Sequence, residues 1–354
     1  MNQADEAAGG TTASPSYHAL SLRRTFCLAG GVAVVAIALV LDVLTGPAFL
    51  AIGDVVVALF APSSASLTTS VIVWDIRLPM ALMAIVVGAA LGIAGTAIQT
   101  ILGNPLASPY TLGFSAAAGF GAATVILTGL SLPFAPWLTV PLAALTSTVV
   151  AAALVYGFSQ LRGMSAEVMV LAGIATLFLF QSLQSMAQYL ASPEALQEIV
   201  FWLFGSLLKA SWSNLPIVAV TLFASALALS TDLWRLTALR LGDDRAAALG
   251  VNVRRLRIKA FFIVAALTAG AVAFVGTIGF VGLVAPHIAR GLVGEDQRYL
   301  MPMAALCGAI LMAGASILSK LISPGSVIPI GIVTAVVGVP FLFGLIISGR
   351  RRQW

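Results

Sequence analysis

Ten apolar stretches follow one another along the chain, near 26 to 45, 78 to 101, 111 to 130, 137 to 158, 167 to 190, 214 to 232, 256 to 277, 280 to 293, 300 to 320 and 327 to 348. A helix needs about 20 predominantly apolar residues to cross the hydrocarbon of a bilayer, and most of these stretches are that long. Between them little polar sequence is left. Only 9% of the residues are charged, against about 25% in a soluble domain. In hydrocarbon every backbone N–H and C=O must be bonded within the protein, and the short alternating segments of a membrane barrel are absent. The predicted fold class is therefore all-α, a polytopic membrane protein with about ten transmembrane helices.

The basic residues orient this arrangement. Ten crossings return the chain to its starting side, and the loops then divide the 18 Lys and Arg residues unequally. Arg77, Lys209 and Lys320 fall on one side and all the others on the opposite one. Because cytoplasmic loops carry the excess of Lys and Arg, both termini are predicted to be cytoplasmic. The formal charge of +5 is thus read as topology and not as a nucleic-acid surface. Residues 1–22, rich in Ala, Gly, Ser and Thr, read as a mobile cytoplasmic tail, and residues 23–354 as one transmembrane domain. Ser21 to Phe26 loosely resembles a twin-arginine export signal, but the apolar run that follows is long enough to span and has no Ala-x-Ala site, which favours an uncleaved first helix. Cys27 and Cys307 both lie in apolar runs and read as packing residues.

The largest predicted cytoplasmic feature is the segment at about 236–255. Within it Asp243-Asp244-Arg245-Ala246-Ala247-Ala248-Leu249-Gly250 has acidic residues at its start and a Gly stop, the pattern of a short capped helix. Such a helix, presented to the cytoplasm, is a docking element. Elsewhere, Gly95-Thr96 precedes Pro105 at the spacing by which Gly276-Thr277 precedes Pro286, and the spans concerned run in opposite directions. That is the signature of a possible inverted repeat.

No Gly-x-x-x-x-Gly-Lys-Ser/Thr phosphate loop occurs, so the chain does not bind and hydrolyse ATP by that route. The carboxylates that approach the spans, Asp42, Glu167 and Asp232, sit near boundaries, which argues against an ion-coupled carrier without excluding one. Gln181, Gln184 and Gln188 share one helical face. That face fits either a pathway lining or amide bonds between helices. His287 reads as structural, since a metal site needs several ligands and Cys27, Cys307 and His18 are remote in sequence. Asn104, Pro105 and Pro109 break helicity, and small residues follow from Gly113, a pattern that suits both hinge and packing roles.

Several ordered motifs resemble one family. Arg77-Leu78-Pro79, Gly88-Ala89-Ala90-Leu91, Gly95, Gln99 and the run from Asn104 to Gly113 are similar to the FecCD-like permeases, membrane subunits of ATP-binding-cassette importers for ferric siderophores, haem or cobalamin. Leu241-Gly242 and Ala248-Leu249-Gly250-Val251 resemble that family's coupling segment, Gly279 to His287 its eighth-span signature, and Pro329 to Ala335 its tenth. The resemblance implies a bacterial inner-membrane homodimer of about twenty helices. It also implies two ATPase subunits that bind ATP and Mg, with no cofactor in this chain, and a periplasmic binding protein that delivers the substrate. By the same resemblance Arg77 and Lys320 dock the binding protein, with Met80 standing where many relatives carry a further Arg. Leu241 to Val251, including Asp243, Asp244 and Arg245, engages the ATPase, with Arg240 at its rim. Gln99 joins the three glutamines as a pathway-lining candidate, and Gly95, Gly113 and Pro286 join the hinge and packing positions. The run from Asn104 to Gly113 looks nearest to siderophore-type relatives. An iron chelate is therefore the expected cargo, with haem or cobalamin as alternatives.

Overall fold

The computed structural model describes residues 17–48, 50–322 and 325–348, and among the described residues there is helix but no strand. Helix α1 (Tyr17–Leu44) is followed by the short α2 (Ile52–Phe60) and α3 (Leu67–Val71). A π-helical stretch, Ile72–Arg77, joins α3 to α4 (Leu78–Ile101), so that residues 67–101 form one unbroken rod. An irregular segment then leads into α5 (Phe114–Thr128), α6 (Pro136–Gln160) and α7 (Ala166–Leu190). Next come α8 (Pro193–Leu203), α9 (Leu215–Ser230), α10 (Leu233–Leu239) and α11 (Asp243–Ala248). The chain closes with α12 (Val253–Val275), α13 (Val281–Val293), α14 (Gln297–Leu321) and α15 (Ile330–Ser348).

Each of the ten predicted spans is a helix. Six are long and apolar enough to cross a membrane alone, and α9 with α10, bent by 67° at Thr231-Asp232, makes a seventh. The other three, α5, α13 and α15, are shorter apolar helices. Two boundaries differ from the sequence reading. The second span begins ten residues before Arg77 rather than at it, and residues 17–22 of the expected tail already belong to α1. The rest of that tail lies outside the described residues.

The repeat exists at the level of elements, although not in the register of the motifs that suggested it. Helices α4 to α7 and α12 to α15 each run as a long helix, a break, a short helix and two more helices. Helix α4 packs on α14 as α12 packs on α6, the equivalent pairing in the other half. Helix α4 runs towards the end of the bundle that carries α11, and α12 runs away from it. Gly95, however, lies inside α4, whereas Gly276, at φ 76°, opens the break after α12. Equal spacing in sequence thus joins positions that are not equivalent in space.

Helix α4 is the axis of the bundle and is buried along nearly its whole length. Lipid tails are as apolar as leucine, so helices in a membrane gain by close backbone approach and not by escape from water. Small residues supply that approach. A Cβ at Gly88 would overlap the Gly308 carbonyl, one at Gly92 the Ala304 carbonyl, and one at Gly95 the Gly282 carbonyl. Thr96 and Thr100 return their hydroxyls to Gly92 O (3.0 Å) and Thr96 O (2.8 Å), so that neither hydroxyl is left unpaired in the seam. At the end opposite α11, the broken ends of three helices pair their backbones. Ser206 N–H donates to Val275 O (2.7 Å), Ile330 N–H to Gly205 O (3.0 Å) and Gly331 N–H to Phe204 O (3.0 Å).

Overpacking a close seam costs about 1–3 kcal/mol or more. Gly92→Val is expected to lower the thermal unfolding midpoint of the detergent-solubilised protein, whereas Gly157→Ala, which meets no atom within 4 Å, should leave it unchanged.

Candidate functional site

At one end of the bundle, α10, α11 and the turn into α12 form a projecting elbow. Six residues are too few for a stable free helix, and α11 is held from both sides. Gly242 and Gly250, at φ 101° and 82°, turn the chain into and out of it. Ala246 and Val251 are buried, and Asn252 Oδ1 caps α12 by accepting from Arg255 N–H at 3.0 Å. Arg257, almost fully buried, is the fastener. Its Nη2 donates to both Asp243 oxygens (2.9 and 3.1 Å), its Nε to Ile101 O (2.9 Å) and its Nη1 to Met164 O (3.0 Å). One guanidinium therefore joins α11 to the end of α4 and to the loop before α7.

A second chain of contacts runs beside it. Arg240 meets Glu295 at 2.5 Å, Glu295 lies 3.1 Å from Arg290 Nε, and Arg290 Nη2 donates to Gln99 Oε1 at 3.1 Å. Asp243 and Arg240 are thus both engaged within the chain, although Asp243 keeps half of its side chain exposed. What α11 presents outward is Asp244, Arg245, Ala247 and Ala248, flanked by Leu241 and Leu249, each about half exposed. An exposed leucine on either side of a short rigid helix suits docking by shape into an apolar cleft.

Behind the elbow lies a cavity of about 770 Å³, lined by Gln99, Pro105, Asp243, His287, Arg290 and Glu295 among others. Gln181, Gln184 and Gln188 do not reach it. They are half-buried on α7, and the Gln184 amide lies where a Cβ on Gly119 of α5 would be, a position that suits helix packing. His287 stands edge-on to the Phe341 ring. No group of three or more His, Cys, Asp or Glu among the described residues could hold a metal ion.

The break between α4 and α5 is built from its own side chains. Asn104 Oδ1 accepts Leu106 N–H (2.9 Å), and Ser108 and Thr111 cap each other around a turn that Pro109 opens. Gly113, at φ 81°, would with a Cβ come within 2.7 Å of Leu177 N, so α5 starts against the middle of α7. Pro286 sits inside α13.

At the opposite end, the two cations expected to dock a binding protein are turned inward. Arg77 Nη1 donates to Val43 O (3.2 Å) and Leu44 O (3.0 Å), and its Nη2 to Ala48 O (2.5 Å). Lys320 Nζ donates to Asp42 O (2.9 Å) and Asp42 Oδ1 (2.7 Å), and the latter also accepts from Ser316 Oγ (2.8 Å). Arg77 is 3% and Lys320 4% exposed. The expectation that they present charge outward is corrected, and the cause is the end of α1. The last carbonyls of a helix have no partner within it, and here they lie buried, where cations bond them. Sequence reasoning put both residues at the same end of the bundle but missed that Asp42, itself bonded by Ser316, is the counterpart of Lys320. The available signal was a carboxylate just inside the first apolar run and a lysine just inside the ninth. Met80 is buried in the core.

A polytopic helical bundle with broken helices and an exposed elbow at one end has the form of a membrane permease. The chain belongs to the FecCD transport family, which matches residues 34–348, a family of membrane permeases of type II ATP-binding-cassette importers. It is 34% identical to the hemin transport system permease protein HmuU of Yersinia pestis, covering 79% of this chain and 85% of that one. Against the vitamin B12 import system permease protein BtuC of Vibrio cholerae it is 35% identical over 79% and 83% of the two chains. A solved structure assigned as a metal-chelate type ABC transporter in an inward-facing conformation matches with a TM-score of 0.81 at 30% identity, over 92% of this chain and 99% of that one.

Removing one partner of a buried ion pair costs about 3–5 kcal/mol, because the other charge is left uncompensated. Lys320→Met is therefore expected to destabilise the protein strongly in a detergent thermal melt, and adding Asp42→Asn to recover most of the loss. Equal melting of the single and double variants would contradict the pairing.

Proposed function

We propose that this chain is the permease subunit of an importer that carries an iron chelate, a ferric siderophore, from the periplasm to the cytoplasm across a bacterial inner membrane. Two copies form the pathway, two ATPase subunits bind ATP and Mg and drive it, and a periplasmic binding protein delivers the cargo. The observation that carries this reading is the elbow at α11. It is rigidly fastened by Arg257 and flanked by Leu241 and Leu249, as a lever worked by another subunit must be. The same end gathers Arg24, Arg240, Arg254, Arg257, Lys259 and Arg290, which supports a cytoplasmic elbow and cytoplasmic termini. The cavity behind it, with Gln99 on its wall, is the inner part of the route, and the break from Asn104 to Gly113 together with Pro286 gives the pivots. The cargo arrives already chelated, so the route needs a large, polar-lined cavity that holds it weakly, and no metal ligands of its own. The run from Asn104 to Gly113 favours a siderophore over haem or cobalamin.

Permease reconstituted in liposomes with its ATPase and binding protein is expected to accumulate radiolabelled ferric siderophore only when ATP is supplied, with haem and cobalamin as poor competitors. Leu249→Glu places a charge in the apolar contact and should reduce ATP-driven uptake at least tenfold, about 1.4 kcal/mol, while binding-protein docking persists. Uptake by the chain alone down a proton or sodium gradient would instead establish an ion-coupled carrier.

A further inference from the structure

Between α9 and α10 the chain bends by 67°, and the residue at the bend is a buried acid. Asp232 is 3% exposed. Its Oδ1 accepts from Arg235 Nη1 of α10 and its Oδ2 from Lys259 Nζ of α12, each at 2.6 Å. Lys259 Nζ also donates to Thr231 Oγ1 at 2.9 Å. One carboxylate thus sets two cations from different helices side by side, while the side chains of Arg235 and Lys259 stay 58% and 43% exposed. One turn before Lys259 on α12 stands Arg255, exposed and with no side-chain partner among the described residues. Three cations therefore face outward around a single buried negative charge.

The surface beside them is apolar. Val220, Phe223 and Leu227 of α9 are all exposed, at the i, i+3 and i+7 positions of one stripe that leads to the bend. Just past it Trp234 is exposed next to Arg235, and Phe262 of α12 is exposed one turn beyond Lys259. Helix α9 packs along α12, so the stripe and the cations belong to one side of the bundle. On a membrane-spanning helix an exposed apolar stripe meets acyl chains, and aromatic rings gather where hydrocarbon gives way to water. Trp234 marks that level, which puts Arg235, Lys259 and Arg255 among the headgroups. Cations that merely snorkel to the interface need no buried carboxylate to hold them together, and here Asp232 does so.

We infer that the bend between α9 and α10 is a binding site for an anionic phospholipid. The phosphate oxygens accept from Arg235, Lys259 and Arg255, and one acyl chain lies along Val220, Phe223 and Leu227. Asp232 does not touch the lipid and is a positioning residue, since it fixes two of the three cations. A zwitterionic lipid brings an ammonium group along with its phosphate, and the excess positive charge of the site opposes it. An anionic lipid brings no such cation, and each basic side chain near the membrane surface strengthens its retention about fivefold. The site requires the membrane-spanning fold alone and is independent of the cargo, the ATPase and the binding protein.

Native mass spectrometry of the full-length permease in detergent tests this, with phosphatidylglycerol, phosphatidylcholine of the same acyl chains, or glycerol phosphate added. Phosphatidylglycerol should be retained at least fivefold more than phosphatidylcholine, and glycerol phosphate, which has the headgroup without the chains, should not be retained. Arg255→Gln breaks no bond within the protein and should lower phosphatidylglycerol retention about fivefold. Adding Arg235→Gln, with Lys259 left to pair Asp232, should abolish the preference between the two lipids. Arg23→Gln, which removes an exposed cation from α1, should change nothing. Equal retention of the two lipids by the wild type, or an undiminished preference in Arg255→Gln, overturns the inference. So does an equal loss in Arg23→Gln, which would make the effect one of net charge, or retention of glycerol phosphate as strong as that of the lipid, which would make the site one for a free anion.

Discussion

A backbone carbonyl or amide left unbonded in hydrocarbon costs several kcal/mol, and a permease cannot be built from unbroken helices alone. The protein resolves that conflict three times, each time differently. Where α1 stops inside the bundle, Arg77 and Lys320 reach in from the π-helical stretch before α4 and from α14 and bond its last carbonyls. Where α8, α12 and α15 meet, each broken end satisfies another through main-chain hydrogen bonds. Between α4 and α5 the chain turns on the side chains of Asn104, Ser108 and Thr111. In each place irregular backbone is tolerated because its polar groups are bonded within the protein.

The same constraint explains what could be read from the sequence. Apolar runs announce spans directly, and the unequal division of Lys and Arg announces the two ends, so ten helices and their grouping were legible. The elbow at α11 was legible too, since its acids and its Gly stop are local signals. Helices α2, α3 and α8 were not, being too short to register as spans. Yet Ser192 and Pro193 mark the start of α8 clearly. The orientation of Arg77 and Lys320 was hidden for another reason. A cation near a span end reads as an exposed anchor unless its counterpart is known, and Asp42 lies 278 residues from Lys320. The repeat was legible in outline only, because matched spacing in sequence carries no information on whether a glycine lies within a helix or at its end.

The two ends of the bundle use charge in opposite ways. Around α11 the charges are bonded to one another in chains that cross from helix to helix, so that the elbow, α4 and α13 are held together through Arg257 and through Arg240, Glu295 and Arg290. At the other end Arg77 and Lys320 close the end of α1, and Asp42 is buried with them.

Helix α1 is held by α14 at both of its ends. Arg24 lies 3.8 Å from Asp296 and over the Tyr299 ring, Ser21 bonds the Tyr299 hydroxyl, and Asp42 bonds Ser316 and Lys320. Ribosomal synthesis makes these partners at opposite extremes of the chain. The first span to enter the bilayer must therefore wait there, with its carboxylate unmatched, until almost the whole polypeptide has followed. A chain truncated before α14 would keep the bonds of Arg77 to the end of α1 but leave Asp42 without Lys320 and Ser316.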